Sequence, residues 1–324
     1  MAKNRRPQEG TTISGFINLY KPAGITSMEA VRRIKRLCGP HQKIGHGGTM
    51  DPMARGVLPI CFGQATRLME QVVGGRKRYL MEVLLGVTTD TYDAEGEVVD
   101  TSETASLTRE LVESALAAFV GPINQTPPMY SAVKVKGQRL YKLARAGVEV
   151  EREPRPVEIF NINVTEWALP RVVMEVECGK GVYMRSLAHD LGQVLRCGGH
   201  VTSLERLYCG GFEAKESVTL ETLEGPPGEP DGWHKHLFPT DWALRGLRST
   251  VVPPAAEQYL NNGQAVAVGT PLMDAGYMEE FRAYSSDGRF LALVRFDRAA
   301  SAWKPIKVFH LETPSPYAPA GSAA

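Results

Sequence analysis

A single carboxylate, Asp51, stands in a stretch that is unusually rich in glycine and proline. Three glycines precede it within residues 45–48, and Pro52 follows it directly. Glycine permits positive φ and close backbone approach, whereas proline fixes φ and removes a hydrogen-bond donor. The stretch is therefore predicted to be a shaped loop that displays Asp51 at a defined place, which makes this carboxylate a candidate catalytic group.

The same residues also fit a simpler structure. Glycine-rich turns with an Asp-Pro pair are common, so the spacing alone leaves an ordinary turn open. A phosphate-binding loop of the Walker type is excluded, because no Gly-Lys-Ser/Thr follows at the required spacing.

A second candidate charge lies far along the chain, at Arg185. The pattern predicts a helix over Tyr183–Leu195, with Leu187, Leu191 and Val194 on its inner face. Arg185 would lie in the first turn, where a cation interacts unfavourably with the helix dipole. This position indicates that the positive charge of Arg185 has a role other than stabilising the helix.

The elements that would hold these groups are predicted from periodicity and capping residues. Thr26 and Glu29 form a capping box that opens a helix, and Gly39–Pro40 ends it. Alternating apolar residues make 76–87 the clearest strand, with Tyr79 on its apolar face. The other predicted elements are strands over 13–20, 57–62, 157–167, 171–178 and 204–212, helices over 64–73 and about 111–119, and a polar loop over 90–96.

Length and composition bound the class of protein. The 324 residues suit two domains, and 43% hydrophobic residues are enough for a substantial core. No run of roughly eighteen apolar residues is present, so no membrane span is expected, and no apolar segment near the N-terminus predicts a secretory signal. The five cysteines are scattered without a Cys-x-x-Cys pair, which favours reduced, mostly buried thiols in a cytoplasmic protein.

The net charge of +1 hides an uneven distribution of charge. Residues 1–78 hold fourteen Lys and Arg against four Asp and Glu, and residues 134–155 hold seven against three. Two basic zones on an otherwise acidic chain indicate a polyanionic partner that is contacted in two places. The alternative, a solvated basic surface, would normally interleave the two signs more evenly.

Residues 124–155 are predicted to form an excursion from the fold toward that partner. Basic residues alternate there with prolines and aromatics, and Tyr130 and Tyr141 are candidates for base stacking. An exposed amphipathic hairpin without a partner is the alternative. The basic residues concerned are Lys134, Lys136, Arg139, Lys142 and Arg145.

The pattern changes near residue 251. Short strands with turns follow up to residue 311, including a hairpin at Asp287–Gly288, and predict a small β-rich module. A loop rich in proline and glycine over 225–232 precedes this module, and the Pro-, Ala- and Ser-rich tail 312–324 is predicted to be disordered.

Four segments, in their order along the chain, resemble the bacterial TruB family of tRNA pseudouridine synthases, which act on uridine-55 in the T arm. These segments are Asn18–Ser27, Gly45–Leu58, Pro127–Lys134 and Cys178–Leu187. The second and fourth are highly specific in combination. The chain departs from the family at Gly47, Met50 and Arg55, where Thr, Leu and a small polar residue are usual, and none of these changes removes an ionisable group.

The resemblance implies a fold and a division into domains. We expect an α+β catalytic domain over residues 1–245, with a mixed, largely antiparallel central sheet, flanking helices and an RNA-contacting insertion at about 124–155. Residues 246–311 would form a PUA module that binds the acceptor end of tRNA, and 312–324 would be a disordered tail. The implied protein is a cytoplasmic monomer that binds tRNA through the T arm, with no cofactor, metal ion or membrane contact.

The resemblance also implies roles for individual residues. Asp51 matches the essential aspartate, Arg185 the arginine that pairs with it, and Tyr79 the tyrosine that stacks on the target uracil. The other positions expected to bind the substrate are His46, near the displaced bases, Tyr183 and Leu204, in the pocket wall, and Lys21, in the first matching segment.

The implied reaction breaks the C1′–N1 bond of uridine, rotates the uracil and forms a C1′–C5 bond. The base must first leave its stack, which costs roughly a few kcal/mol. A carboxylate near C1′ could then attack the sugar, as in retaining glycosidases, or remove the C2′ proton to give a glycal. The residues alone leave both routes open.

Two other functions also stay open. A non-catalytic RNA-binding protein or tRNA chaperone would use the same basic surfaces, and a guide-RNA-dependent pseudouridine synthase would need accessory proteins. A glycoside hydrolase is disfavoured, because no second carboxylate is evident in the sequence near the Asp51 loop.

Overall fold

The structure, a computed structural model, contains two β-sheets of unequal size that pack against each other. It describes residues 13–39, 41–131, 133–135, 137–148, 150–225, 232–267, 275–276 and 278–319. The larger sheet has ten strands and the smaller one, near the C-terminus, has five, and two short two-stranded ribbons complete the strands of the described residues.

The strands of the described residues are β1 (Gly15–Lys21), β2 (Ile44–His46), β3 (Arg55–Phe62), β4 (Lys77–Leu85), β5 (Val87–Thr89), β6 (Val98–Thr101), β7 (Gly121–Gln125), β8 (Lys134–Val135), β9 (Gln138–Arg139), β10 (Arg155–Ala168), β11 (Arg171–Cys178), β12 (Gly199–Cys209), β13 (Phe212–Glu213), β14 (Leu237–Phe238), β15 (Ser249–Val251), β16 (Val266–Ala267), β17 (Glu280–Tyr284), β18 (Phe290–Asp297) and β19 (Ala302–Val308). The α-helices are α1 (Ser27–Cys38), α2 (Met69–Gly74), α3 (Arg109–Ala117), α4 (Leu140–Arg145), α5 (Met184–Val194), α6 (Leu220–Glu224) and α7 (Pro254–Asn261). Short 3-10 helices cover Gly63–Leu68, Ala214–Glu216, Gly232–His236 and Thr240–Leu244.

The ten-stranded sheet follows the order β14–β1–β3–β12–β4–β11–β10–β7, with β2 beside β3 and β13 beside β12. Its strands pair antiparallel except for β3 with β12, which run parallel. The prediction of a mixed, largely antiparallel sheet with flanking helices is therefore confirmed. The parallel contact places Arg206 beside Gly56, at the strand that leaves the Asp51 loop.

One face of the large sheet carries a core along its length, and the opposite face is covered around β1 and β3, whose side chains alternate between two cores. Ile17 and Leu58 face one core, where apolar residues of α1, α3, α5 and α6 are packed. Phe16 and Val57, one residue earlier in each strand, face a second core that includes Phe290 of the smaller sheet. This period of two follows from the pleat of a strand, and it joins the C-terminal module to the back of the sheet.

Helix α1 begins as its sequence predicts. Thr26 is the N-cap, and its hydroxyl accepts a hydrogen bond from the Glu29 backbone N at 3.1 Å. Ala30, Val31 and Ile34 are buried on one side of the helix, which fixes its first turn beside the Asp51 loop.

Three predicted boundaries or faces were wrong. The strand over 76–87 ends at Leu85, because Gly86 takes a φ of 87° and starts a turn. The strand predicted to begin at Leu204 begins at Gly199. In α5, Leu187 and Leu191 are buried as expected, but Val194 is 57% exposed.

The C-terminal module is a five-stranded sheet in the order β15–β17–β18–β19–β16, with a hairpin at 285–289 near the predicted turn. The tail was predicted to be disordered, and this is wrong for residues 312–319. The Ser315 hydroxyl donates to Asp241 at 2.6 Å, and the Tyr317 ring lies edge-on against Trp242. Tertiary hydrogen bonds thus override the composition. Residues 320–324 of the tail, and residues 226–231 of the predicted loop over 225–232, lie outside the described residues.

Four of the five cysteines are buried and all five are free thiols, in agreement with the prediction. Within the described part of the chain, no helix combines the length and apolar character that a membrane crossing requires.

Candidate active site

The Asp51 loop runs from β2 to β3 and is held by its neighbours on both sides of the carboxylate. Met50 and Ala54 are buried in the core beneath the sheet. The Ser27 hydroxyl, at the start of α1, accepts from the Met50 backbone N at 2.8 Å and donates to the Met50 carbonyl at 3.2 Å. The Asp51 side chain itself remains 33% exposed, so the loop presents it toward solvent.

Backbone carbonyls of the loop accept hydrogen bonds from buried cations. Arg206 donates to the Gly48 carbonyl at 3.2 Å, and Lys21 donates to the Pro52 carbonyl at 3.2 Å. The Gly24 backbone N donates to the same Pro52 carbonyl at 2.8 Å. These bonds fix the loop independently of any substrate, so Asp51 is pre-organised.

Arg185 forms a two-point ion pair with Asp51. Its Nε donates to Asp51 Oδ2 at 2.8 Å and its Nη2 donates to Asp51 Oδ1 at 2.9 Å. The arginine side chain is only 4% exposed, and such fork-to-fork pairing fixes both position and orientation of the carboxylate. The predicted pairing of the two residues, 134 positions apart, is present in the structure.

All three nitrogens of the Arg185 guanidinium face acceptors. Beyond the two bonds to Asp51, Nη2 donates to the Tyr130 carbonyl at 2.7 Å and Nη1 donates to the Thr91 carbonyl at 3.2 Å. Nη1 also lies 3.3 Å from Asp93 Oδ2. Arg185 therefore joins the Asp51 loop, the loop over 90–96 and the start of the predicted insertion.

Asp93 is a functional candidate that sequence reasoning missed. The expectation of no second carboxylate near the Asp51 loop was wrong, because Asp93 shares the same arginine and is 3% exposed. Its Oδ1 accepts from the Thr91 hydroxyl at 2.5 Å and from the Glu95 backbone N at 3.1 Å. Asp93 is thus committed to internal bonds. In the sequence it is one of several acidic residues in a polar loop, and nothing there distinguishes it.

Tyr183 is the N-cap of α5 and is fixed through its backbone. The Gln125 side chain, 2% exposed, accepts from the Tyr183 backbone N at 2.8 Å and donates to the Tyr183 carbonyl at 3.0 Å. Burial raises the pKa of the Tyr183 hydroxyl. Gln125 was not predicted, since a glutamine at the end of a strand carries no signal of this contact.

Tyr79 lies in the middle of the sheet, opposite Arg206 on the neighbouring strand β12. Burial raises the pKa of Tyr79 to about 12, while the adjacent Arg206 guanidinium acts in the opposite direction. Arg206 also donates from Nε to the Val57 carbonyl at 2.7 Å. Because Arg206 contacts the Gly48 carbonyl as well, it couples Tyr79 to the Asp51 loop; this arginine was not predicted.

Leu204 is 5% exposed, two positions before Arg206 and opposite Met81 of β4. It belongs to the same core as Met50, and Tyr79 packs against that core. The predicted wall residue thus lies on the side of the sheet from which the Asp51 loop emerges.

Lys21 and His46 occupy supporting positions. The Lys21 ammonium donates to the Pro22 and Ile25 carbonyls at 2.8 Å each, in addition to Pro52, and the residue has no exposed surface. Burial lowers the pKa of Lys21 to about 8, and the negative charge of Asp51 acts against this. His46 ends β2, and burial lowers its pKa, with a further contribution from Arg206 in the same direction. All three N–H donors of the Lys21 ammonium are bonded to carbonyls of the protein. Lys21 therefore shapes the loop, in place of the predicted direct contact with the substrate.

The predicted insertion forms the ribbon β8–β9 and helix α4. Its first part is anchored to the site, through the Tyr130 carbonyl on Arg185 and through Arg152, which donates to the Pro127 carbonyl at 3.1 Å. The side chains of Lys134, Arg139, Tyr141, Lys142 and Arg145, and the whole of Lys136, lie outside what the structure describes.

Comparison with known proteins decides the family. Residues 35–184 match the TruB family pseudouridylate synthase N-terminal domain, and residues 185–245 match the tRNA pseudouridylate synthase B C-terminal domain. The chain belongs to the TruB family of pseudouridine synthases. The two matched segments meet between Met184 and Arg185, inside α5, so the ion pair described above joins residues of both segments.

Relatives of this TruB family member cover most of its length. The tRNA pseudouridine synthase B of Clostridium kluyveri is 40% identical over 281 residues, which are 87% of this chain and 95% of that protein. The tRNA pseudouridine synthase B of Heliobacterium modesticaldum is 49% identical over 225 residues, 68% of this chain and 73% of that protein. Among solved structures, a chain of an H/ACA RNP bound to a substrate RNA containing 2′-deoxyuridine is similar, with a TM-score of 0.68, 23% identity and coverage of 94% and 87% of the two chains. The similarity to this solved structure shows a shared fold and nothing more.

The geometry suits the chemistry of this family. A carboxylate that is one-third exposed and held at both oxygens by one guanidinium can act on a sugar carbon or a sugar proton without first being reoriented. Within the described residues, no group of three or more His, Cys, Asp or Glu side chains is arranged to hold a metal ion.

Proposed function

We propose that this TruB family enzyme isomerises uridine-55 in the T loop of tRNA to pseudouridine. The observation that carries the proposal is the bidentate pair of Arg185 and Asp51 on a loop fixed by Ser27, Lys21 and Arg206. A loop braced in this way fits a residue that must meet a reacting atom within a few tenths of an ångström.

Two steps of the proposed reaction, the flipping of the base and the cleavage of its C1′–N1 bond, have a residue to serve them. The target uridine leaves the T-loop stack, and the Tyr79 ring offers a replacement stacking surface worth roughly 1–3 kcal/mol. Asp51 then either attacks C1′ and expels the uracil through N1, or removes the C2′ proton while the same C1′–N1 bond breaks. The uracil rotates and its C5 bonds to C1′. In the first route C5 displaces the Asp51 carboxylate from C1′, and in the second the C2′ proton returns from Asp51 to C2′ as the new bond forms. The C5 proton is finally lost to solvent and N1 takes up a proton, so the product is an isomer of the substrate.

His46, Tyr183 and Leu204 complete the proposed pocket. Tyr183 is positioned by Gln125, and Leu204 supplies an apolar wall. We assign His46 to placing the displaced bases, because partial burial of its ring at the end of β2 favours the neutral form. Lys21 is assigned to the support of the loop.

The proposed partner is tRNA held at two places by a monomeric protein in the cytoplasm. The basic insertion at about 124–155 would contact the T arm, and the module at 246–311, interpreted as a PUA domain, would contact the acceptor end. The excess of seven basic over three acidic residues in 134–155 supports the first contact.

The test is incubation of the purified protein with an unmodified tRNA transcript, followed by mapping of pseudouridine. Modification at position 55 without any added protein or guide RNA supports the proposal. If RNA binds but is not modified, the RNA-binding or chaperone function is favoured. If modification appears only after accessory proteins and a guide RNA are added, the guide-dependent alternative is favoured.

A further inference from the structure

Two aromatic rings are stacked one helical turn away from Arg185. The Tyr92 ring lies over the His189 ring with their centroids 3.8 Å apart and their planes 13° from parallel. His189 follows Arg185 by four residues in α5, so both side chains project from the same face of the helix. The stack therefore connects this helix face to the loop over 90–96.

The two neighbours of Tyr92 are the residues through which that loop holds Arg185. The Thr91 carbonyl accepts from Arg185 Nη1 at 3.2 Å, and Asp93 lies 3.3 Å from the same nitrogen. The Tyr92 carbonyl accepts from the Val201 backbone N at 3.1 Å, which ties the loop to β12. A displacement of Tyr92 would thus move two of the acceptors of Arg185.

Tyr92 occupies this place in an unfavourable backbone conformation. Its φ is 63°, in the left-handed region that a bulky non-glycine residue rarely adopts. Such conformations persist where the surroundings impose them, and they concentrate at functional sites. The ring stack on His189 is a contact that can impose this conformation, since it holds the Tyr92 side chain against α5.

We propose that Tyr92 and His189 form a positioning pair for the reaction, which acts by holding the Thr91 carbonyl and Asp93 against Arg185. The pair does not touch the reacting atoms; it keeps the guanidinium aligned so that Asp51 stays correctly placed. This inference rests on the proposed function of Asp51 and Arg185. It uses no property of the tyrosine hydroxyl or of a charged imidazole, because stacking requires only two flat rings.

The proposal is tested with variants that keep or remove a ring, assayed under saturating RNA and at low RNA concentration. Tyr92→Ala and His189→Ala should each lower kcat about tenfold with KM within about twofold, since small misplacements of catalytic groups act on the chemical step. Tyr92→Phe and His189→Phe keep two stacked rings and should retain kcat within about twofold. In an Arg185→Lys background, Tyr92→Ala should add little further loss, because both changes act through one guanidinium.

Several results would overturn the pair's assignment. An unchanged kcat in both alanine variants would do so, and so would equal losses in the alanine and phenylalanine variants. An increase in KM with unchanged kcat would assign the rings to RNA contact instead. If Tyr92→Ala does not fold, Tyr92→Gly relieves the positive φ while removing the ring and serves as the second variant. A wild-type protein that modifies no RNA would contradict the proposed function itself, so the two failures are distinguishable.

Discussion

Replacement of Arg185 by lysine tests how much the guanidinium fork contributes to the reaction. The arginine makes four hydrogen bonds and one ion-pair contact with acceptors on three segments, whereas a lysine ammonium has three donors and cannot pair bidentately. At least two charge-assisted contacts are therefore lost, at about 1.5–3 kcal/mol each. If their full stabilisation is needed only in the transition state, where Asp51 must stay aligned with the reacting atom, Arg185→Lys should lower kcat by roughly 10²–10⁴.

The assay is single-turnover pseudouridine formation with enzyme in excess, so that chemistry is measured apart from product release. Circular dichroism and thermal melting should accompany it, because the change also leaves Asp93 without its full cation. The matched control is Arg109→Lys on α3, where the arginine pairs with Glu113 at the surface and about 0.3–0.5 kcal/mol is at stake. A loss of less than about fivefold in a fully folded Arg185→Lys enzyme would refute the reasoning.

Three other changes give distinct expected results. Gln125→Leu leaves the Tyr183 backbone N and O unpaired, so the melting temperature should fall by an amount that corresponds to about 2–5 kcal/mol. Gln125→Glu restores the acceptor for the Tyr183 backbone N and should recover part of that loss in melting temperature. Burial raises the pKa of Asp190 to about 6, above its value in the unfolded chain, so the ionised carboxyl destabilises the folded protein once the pH rises through 6. In scanning calorimetry, Asp190→Asn should therefore raise Tm at pH 7.5 and leave it unchanged near pH 4. Ser315→Ala removes a bond to buried Asp241 and should lower Tm, with protease cleavage of the tail appearing earlier; an unaltered cleavage pattern would argue against an ordered tail.

The catalytic loop and its arginine could be predicted from the sequence because each carries a local signal. Asp51 lies among glycines and prolines that exclude regular structure, and Arg185 lies in the first turn of a helix, where its charge is unfavourable. The family resemblance joined the two. The two residues are 134 positions apart, and their contact has no local signature in the sequence. Periodicity alone could therefore not have predicted that they pair.

The supporting residues could not be predicted, for a related reason. Asp93, Gln125 and Arg206 are polar residues whose burial follows from partners far away in the chain. A polar residue in a loop or at a strand end is normally exposed, so the expectation from residue type is the opposite of what occurs. Lys21 shows the same effect: the family resemblance placed it among the substrate-binding positions, yet its donors are used by three carbonyls of the protein.

The C-terminal tail is a different kind of error. Its proline, alanine and serine content is typical of disordered segments. Ser315 and Tyr317 nevertheless find partners on the 3-10 helix at Thr240–Leu244, and the Arg289–Pro314 bridge adds a backbone contact. Composition describes the average cost of ordering a segment, and a few specific bonds are enough to reverse it here.

The central claim, that the Asp51 carboxylate performs the isomerisation, is tested most directly by tritium release. In a T-stem-loop labelled at C5 of the target uridine, formation of the C1′–C5 bond expels the label to water. Wild-type protein should release one tritium per substrate, whereas Asp51→Asn should release none above background and still bind the same RNA with similar affinity. Stoichiometric release by Asp51→Asn, at any rate near that of the wild type, would contradict the account.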